Sequence, residues 1–509
     1  MTRYDRIALS FSLLGLLAGY FVASRIFEQM AHLEDEMAYV WQAQAIARGH
    51  LTLPSPPYPE SFLTPFVVDY KGQRFGKYPP GWPAMLALGL ILNARSWVNP
   101  LLAGAGVWLT YRLGKRLFSP IVGLLAAGLT LVSPFFLMNS GSLLSHPFGL
   151  FLSLTFVLGW LDSWQPAETS PLPERWRWLP PTVSAISLGL LILTRPLTAV
   201  GVSLPFALHG LYLFVQGGNK NRLRLVIYCL AVLAFTGLLF LWQAAVTGDP
   251  LLNPYTLWWQ YDKVGFGEGF GRAEGGHTLH SARINTRFSL RVGYTDLFGW
   301  FKASWLFLPF GLAALLHKRN WKALPAIAVF PSLVFVYIFY WIGANLYGPR
   351  YYYEGLFSLT ILSAAGIVWL AGWRLYPDDI LPRHNLWRRL RLFSTLLVVV
   401  FFVSVNLLYY TPQRLQSMYG LYGVTRERLK PFYTEQARAL TPALVIVYPN
   451  KWTEYGALLE LQDAFLDTPF IFVINKGEKE NTAVARAFPE RKAYLYFPKQ
   501  PFMLIEFEP

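Results

Sequence analysis

Apolar residues gather in long runs separated by short polar stretches, and this alternation persists from residue 7 to residue 410. The runs fall at roughly 7–27, 97–114, 119–139, 146–164, 180–195, 197–215, 224–247, 297–316, 322–343, 354–373 and 391–410, which predicts about eleven helices able to cross a bilayer. Residues 82–93 are apolar as well, but a run of about a dozen is short of the roughly 20 a crossing needs, so it is expected to lie in the interface. From residue 411 the pattern changes to alternation over 443–448, 470–474, 494–497 and 503–507, with a helical interval over 453–465. That combination predicts a small α/β domain over residues 411–509 following a membrane domain over residues 1–410.

Composition agrees with the pattern. Hydrophobic residues make up 54% of the 509 positions and charged residues 14%, where soluble domains carry about a quarter charged residues. The run over 7–27 is too long for the apolar core of a signal peptide and lacks a small-residue cleavage site, so it reads as the first membrane helix. The lone cysteine, Cys229, lies within an apolar run and leaves no basis for a disulfide framework or a cysteine metal site.

The net charge of +15 is dispersed in short basic clusters between apolar runs, which argues against nucleic acid and for cytoplasmic loops. With 82–93 not crossing, one side receives Arg3/Arg6, Arg112/Lys115/Arg116, Arg175/Arg177, Lys220/Arg222/Arg224, Lys318/Arg319/Lys322 and Arg374/Arg383/Arg388/Arg389/Arg391. That side is therefore the cytoplasm, and the protein is expected to be a multi-pass protein of the plasma (inner) membrane. The opposite face collects the opening loop (28–96), a second large loop (248–296), the turns near 139–146, 194–196 and 343–354, and the C-terminus. Chemistry on that face is separated from nucleotide pools, which excludes most ATP-driven and nucleotide-sugar mechanisms.

Candidate chemistry concentrates in residues 34–83. Glu34, Asp35 and Glu36 follow the first membrane helix with Tyr39 close behind; they are either an acidic juxtamembrane cap or the source of a general base or cation ligand. Lys77 stands in Phe75-Gly76-Lys77-Tyr78-Pro79-Pro80-Gly81-Trp82-Pro83, where prolines stiffen the chain and Tyr78 and Trp82 suit the bilayer interface. A cation fixed at that depth fits an anion site.

The Asp35-Glu36 pair with Tyr39, the Gly-Lys-Tyr-Pro-Pro-Gly segment and the order of apolar runs together resemble the polyprenyl-phosphate-dependent glycosyltransferases of the GT-C fold. Within them the protein O-mannosyltransferase and lipid A aminoarabinose transferase group is the most similar. The resemblance implies that Asp35 activates the acceptor and that Lys77 contacts the lipid phosphate. Where aminoarabinose transferases carry an Arg shortly after the acidic pair this chain has Ala38, which weakens the case for aminoarabinose and calls for another cation. Arg195 in Leu-Thr-Arg-Pro and Arg350 in the family-like Pro-Arg-Tyr segment are the candidates, because an interfacial Arg needs an anion nearby and guanidinium suits phosphate.

Tyr39, Tyr78, Tyr351, His146 and His277 complete the expected substrate-binding set, His277 belonging to a loop that covers the substrate. The glycine-rich stretch 265–276 superficially matches a dinucleotide fingerprint but follows no strand and opens no helix, so that match is rejected. Asp262, Glu268, His277 and His280 lack the tight spacing of a metal site; no cofactor is required by the sequence, and a divalent cation stays open. The expected activity is inverting transfer of a sugar from a polyprenyl-phosphate donor to a lipid, glycan or protein acceptor. A lipid-linked glycan ligase or polymerase, or a lipid or sugar transporter, are the rival readings.

Overall fold

The computed structural model describes residues 1–164, 173–344, 346–379 and 386–509; Arg383, counted above in the last basic cluster, lies outside the described residues. The membrane part runs α1 (Arg3–Phe21), α2 (Glu34–Ala47), α3 (Gly81–Ile91), α4 (Val98–Leu117), α5 (Pro120–Leu131), α6 (Pro134–Gly141), α7 (His146–Ser163), α8 (Leu179–Ile192), α9 (Pro196–Gln216), α10 (Asn219–Thr247), the short α11 (Tyr255–Trp258), α12 (Leu279–Asp296), α13 (Leu308–His317), α14 (Leu324–Ile327), α15 (Val329–Tyr337), α16 (Leu356–Leu370), α17 (Leu386–Val405) and α18 (Thr411–Gln416). The apolar runs expected to be helical are largely so except 297–316, where the α-helix begins only at Leu308.

Among the described residues, five segments are long and apolar enough to cross a bilayer: Arg3–Ile26, Pro196–Gln216, Asn219–Thr247, Arg350–Leu370 and Leu386–Gly423. The count becomes seven when each of two bent helix pairs is taken as one span. Length and composition thus support five to seven crossings where the apolar runs suggest about eleven. The difference arises where proline and glycine break the runs, as at Ser133-Pro134 between α5 and α6, which meet at 61°, and where helices such as α8 stop at 14 residues. The helix from Arg350 to Leu370 forms the centre, with 89% of its most apolar stretch buried, while those of α10 and the α17 segment are only 17% and 11% buried. Their exposed faces carry Leu230, Leu233, Leu241, Val400 and Phe401, a surface suited to lipid.

One feature of the opening loop goes beyond the expected juxtamembrane helices. A three-stranded antiparallel sheet of β1 (Leu53–Pro54), β2 (Val67–Tyr70) and β3 (Gln73–Gly76) lies within it. The hairpin closes through Lys71 and Gly72, both in the left-handed region (φ 50° and 74°), a geometry that matches strand twist and favours glycine. The second large loop, expected over 248–296, includes the 18-residue α12.

The C-terminal part is α/β as expected. After α19 (Glu435–Ala439), the strands β4 (Ala443–Val447), β5 (Phe470–Ile474), β6 (Lys492–Tyr496) and β7 (Leu504–Phe507) form a sheet in the order β5-β4-β6-β7. Strand β4 is parallel to both neighbours and buried along its whole length, with Val445 opposite Phe472 and Tyr494. The helical interval expected over 453–465 is α20 (Trp452–Gly456) followed by a 3₁₀ segment ending at Leu461, because Gln462 turns extended. A further helix, α21 (Glu478–Ala487), links β5 and β6. This part sits on the opening loop: Arg48 bridges Asp463 and Asp467 at 2.8 and 2.6 Å, and Gln44 Oε1 accepts the Ala464 N–H at 3.1 Å.

Candidate active site

Lys77 follows directly on β3. The strand pairing carries it to the sheet end, where its N–H donates to Phe66 O (3.0 Å), and Gln42 of α2 clamps the next residue by donating to Tyr78 O (2.9 Å). The side chain is 3% exposed and its ammonium lies 3.1 Å from Asp262 Oδ2, itself 1% exposed. Four rings, those of Phe66, Tyr78, Tyr255 and Trp259, stand 3.9–5.4 Å from the ammonium, a cation–π box that compensates part of the lost hydration. Burial pulls the Lys77 pKa below the usual lysine value, and the charges of Asp262, Asp35 and Glu34 only partly offset this.

Asp35 lies in the first turn of α2, with a side chain 23% exposed, and joins two partners. Tyr78 Oη donates to one carboxylate oxygen and Arg350 Nη2 donates to the other at 3.2 Å. Burial would raise the carboxyl's pKa, but the Arg350 charge, the Tyr78 hydroxyl and Lys77 outweigh it and hold Asp35 below the ordinary carboxylate range. Asp35 is therefore an anion at neutral pH. Arg350 keeps two more donors in reserve, since its Nε and Nη1 are buried without a hydrogen-bond partner among the described residues. An unpaired buried guanidinium N–H is costly unless an anion arrives to meet it. Arg350 is aimed by Gly348, whose φ of 78° and position against Phe135, 2.4 Å from where a Cβ would stand, suit no other residue.

A second charged group adjoins the first. Arg195 Nε lies 3.2 Å from Glu354 Oε1, the same oxygen that His146 Nδ1 approaches at 3.3 Å. Arg195 also donates to Ser145 Oγ and to Tyr337 Oη, both at 3.2 Å. The groups are linked twice: Tyr39 packs on Tyr78 with ring centres 4.6 Å apart and its hydroxyl reaches Ser145, and the Tyr351 ring lies 5.8–5.9 Å from both guanidinium carbons while stacking on Tyr337. Asp35, Lys77, Arg195, Arg350, Tyr39, Tyr78, Tyr351 and His146 thus converge, although they come from positions more than 300 residues apart.

Two expected residues stand apart. Glu36, paired with Asp35 in the sequence reading, points away from it. Its carboxylate accepts the backbone N–H groups of His32 (2.7 Å), Leu33 (3.0 Å) and Leu143 (2.8 Å), so it caps α2 and ties it to the turn before α7. Glu36→Gln is expected to lower stability by about 1–3 kcal/mol, read as a drop in the thermal midpoint, while the protein that remains folded keeps its activity; an unchanged midpoint with lost activity would return Glu36 to the chemistry. His277 stacks on Phe266 (ring centres 5.0 Å apart) and bonds Ile338 O and Ser281, fastening the glycine-rich loop rather than reaching Asp35.

Asp262 and Glu354 are the carboxylates that pair with Lys77 and Arg195 in the site. Asp262 was weighed only for metal; in the structure its second oxygen accepts from Tyr340 Oη (2.8 Å) and Trp341 Nε1 (3.1 Å), which fixes it as the counter-ion of Lys77. The signal available was a buried-type lysine in need of a carboxylate, but nothing in the chain order pointed to one 185 positions away.

No family profile and no curated protein matches the sequence. Solved structures do match. ArnT from Cupriavidus metallidurans bound to undecaprenyl phosphate superposes with a TM-score of 0.57 at 13% identity, over 96% of this chain and 92% of that one. The chain has the GT-C fold. The archaeal oligosaccharyltransferase AglB from Archaeoglobus fulgidus, in complex with an inhibitory peptide and a dolichol-phosphate, gives 0.52 at 14% identity over 96% of this chain and 69% of that one. The oligosaccharyltransferase of that organism in complex with Zn and sulfate gives 0.54 at 15%, covering 95% and 67%. Among the described residues of this GT-C chain no group of three His, Cys, Asp or Glu could hold an ion, and Asp35 is flanked by a guanidinium and a phenol.

Proposed function

We propose that the chain transfers a sugar from a polyprenyl-phosphate carrier to a nucleophile of a lipid, glycan or protein acceptor on the extracytosolic face. The observation that carries this reading is Asp35 held ionised beside an Arg350 whose two buried donors are unpaired among the described residues, set in a fold whose solved examples hold undecaprenyl phosphate and dolichol-phosphate. Sidedness rests on the basic clusters, which assign the opposite face to the cytoplasm.

In the reaction, Asp35 accepts the proton of the acceptor O–H or N–H as that atom bonds to the anomeric carbon. The bond from that carbon to the carrier phosphate breaks, and the electron pair leaves with the phosphate. Arg350, Lys77 and Arg195 offset the charge that develops on the leaving oxygen, so the leaving group needs no proton. Attack opposite the carrier inverts the anomeric configuration. Each of the three cations carries its own carboxylate, Asp35, Asp262 or Glu354, so the resting site is balanced and an incoming phosphate shares the cations rather than meeting bare charge.

The test is donor turnover in proteoliposomes with a panel of polyprenyl-phosphate sugars and a membrane extract as the acceptor source, followed by mass spectrometry. Free carrier phosphate and an acceptor heavier by one sugar support the reading. A heavier acceptor carrying a whole glycan would favour the ligase reading, and sugar flux with no covalent product would favour transport.

The Lys77–Asp262 pair gives a pH signature. Lys77 loses its charge as pH rises through a pKa that burial already depresses, and Asp262 opposes that loss. Asp262→Asn is therefore expected to move the alkaline limb of donor binding to lower pH while leaving binding at pH 6 within about threefold. An alkaline limb that stays in place would remove Asp262 from the role of counter-ion.

A further inference from the structure

Helix α12 has an outward face that the reaction does not use. It meets the following span Phe301–His317 at a bend of 102°, so with that span along the bilayer normal α12 lies nearly flat at the membrane surface. Its inner face is fixed: Ala282, Ser289, Gly293 and Asp296 are buried, and Asn285 Nδ2 donates to Trp341 O at 2.8 Å.

On the outer face Arg283, Arg287 and Arg291 recur at every fourth position and are exposed, forming one stripe. None of the three forms an ion pair among the described residues. The only carboxylate in α12, Asp296, is buried against Arg414 at 3.0 Å. Along one edge of the stripe stand Ile284 and Phe288, 53% and 50% exposed.

We propose that α12 is an interfacial helix whose Arg283–Arg287–Arg291 stripe binds the phosphates of anionic lipid headgroups while Ile284 and Phe288 enter the acyl boundary. Charge alone would serve any polyanion; the apolar edge beside it selects a lipid surface. A helix lying flat with that edge downward holds its arginines at headgroup depth, where guanidinium forks match phosphate. This surface is independent of the transfer reaction.

The test uses the full chain in nanodiscs, with Cys229→Ala and an NBD label on Phe288→Cys. Nitroxide-labelled phosphatidylglycerol and nitroxide-labelled phosphatidylcholine are compared as quenchers at equal mole fraction. Quenching by the anionic lipid is expected to be at least about twofold stronger, and the triple substitution Arg283→Gln, Arg287→Gln, Arg291→Gln to abolish the difference. The same preference with the label on Ile284→Cys excludes a disturbance by the probe. Equal quenching by the two lipids, or a preference that survives the triple substitution, overturns the proposal. Quenching by neither lipid also overturns it and assigns the stripe to a soluble polyanion.

Discussion

Asp35→Asn is expected to lower the rate of sugar transfer by about 10²–10⁴-fold while leaving the affinity for the donor lipid unchanged or tighter. The first effect follows from loss of the carboxylate held between Tyr78 and Arg350, since general base catalysis contributes about that factor. The second follows from charge: the substitution removes an anion that competes for Arg350, so the carrier phosphate meets a freer guanidinium. Single-turnover transfer and equilibrium donor binding measured on the same preparation separate the two. A parallel fall in both would mean that Asp35 holds the site together instead of moving a proton.

Arg350→Gln should do the reverse. Loss of a charged fork to phosphate is worth about a 10–100-fold weakening of donor binding, and Arg350→Lys should recover only part of it because the ammonium cannot offer two parallel donors. A change in pH dependence accompanies the loss. Arg350 is the largest influence holding the Asp35 pKa down against burial. Without it burial prevails, the pKa rises, and the base is lost at a higher pH as acid is added. The acid limb of the residual activity therefore moves upward, whereas a site in which Arg350 merely braces the turn would lose activity without moving that limb.

How far the sequence could lead is clear from the individual residues. Asp35 and Lys77 were legible because each stands in a short, chemically unusual stretch directly after a membrane helix, and Arg195 and Arg350 because a guanidinium at a helix boundary needs an anion. Glu36 was misleading for a physical reason: adjacent carboxylates on a helix point about 100° apart, so one faces the site while its neighbour turns back to cap the helix. Asp262 stayed hidden as the partner of Lys77 because pairing across the fold leaves no local pattern. The hairpin before Lys77 was missed because its strands span four residues each and Val67 and Val68 are both buried, which erases the period of two. Composition marks apolar runs but not the proline breaks that split them, so fewer single helices reach spanning length than there are apolar runs, and α12 was read as loop because its amphipathic pattern lies outside any such run.

The most direct measurement is binding of undecaprenyl phosphate to the purified full-length protein, its Asp35→Asn variant and its Arg350→Gln variant in one lipid environment, followed by native mass spectrometry. The wild-type protein and Asp35→Asn are expected to retain the lipid phosphate and Arg350→Gln to lose it. Equal retention by all three, or none by the wild-type protein, would contradict a donor-phosphate site at Arg350 beside Asp35.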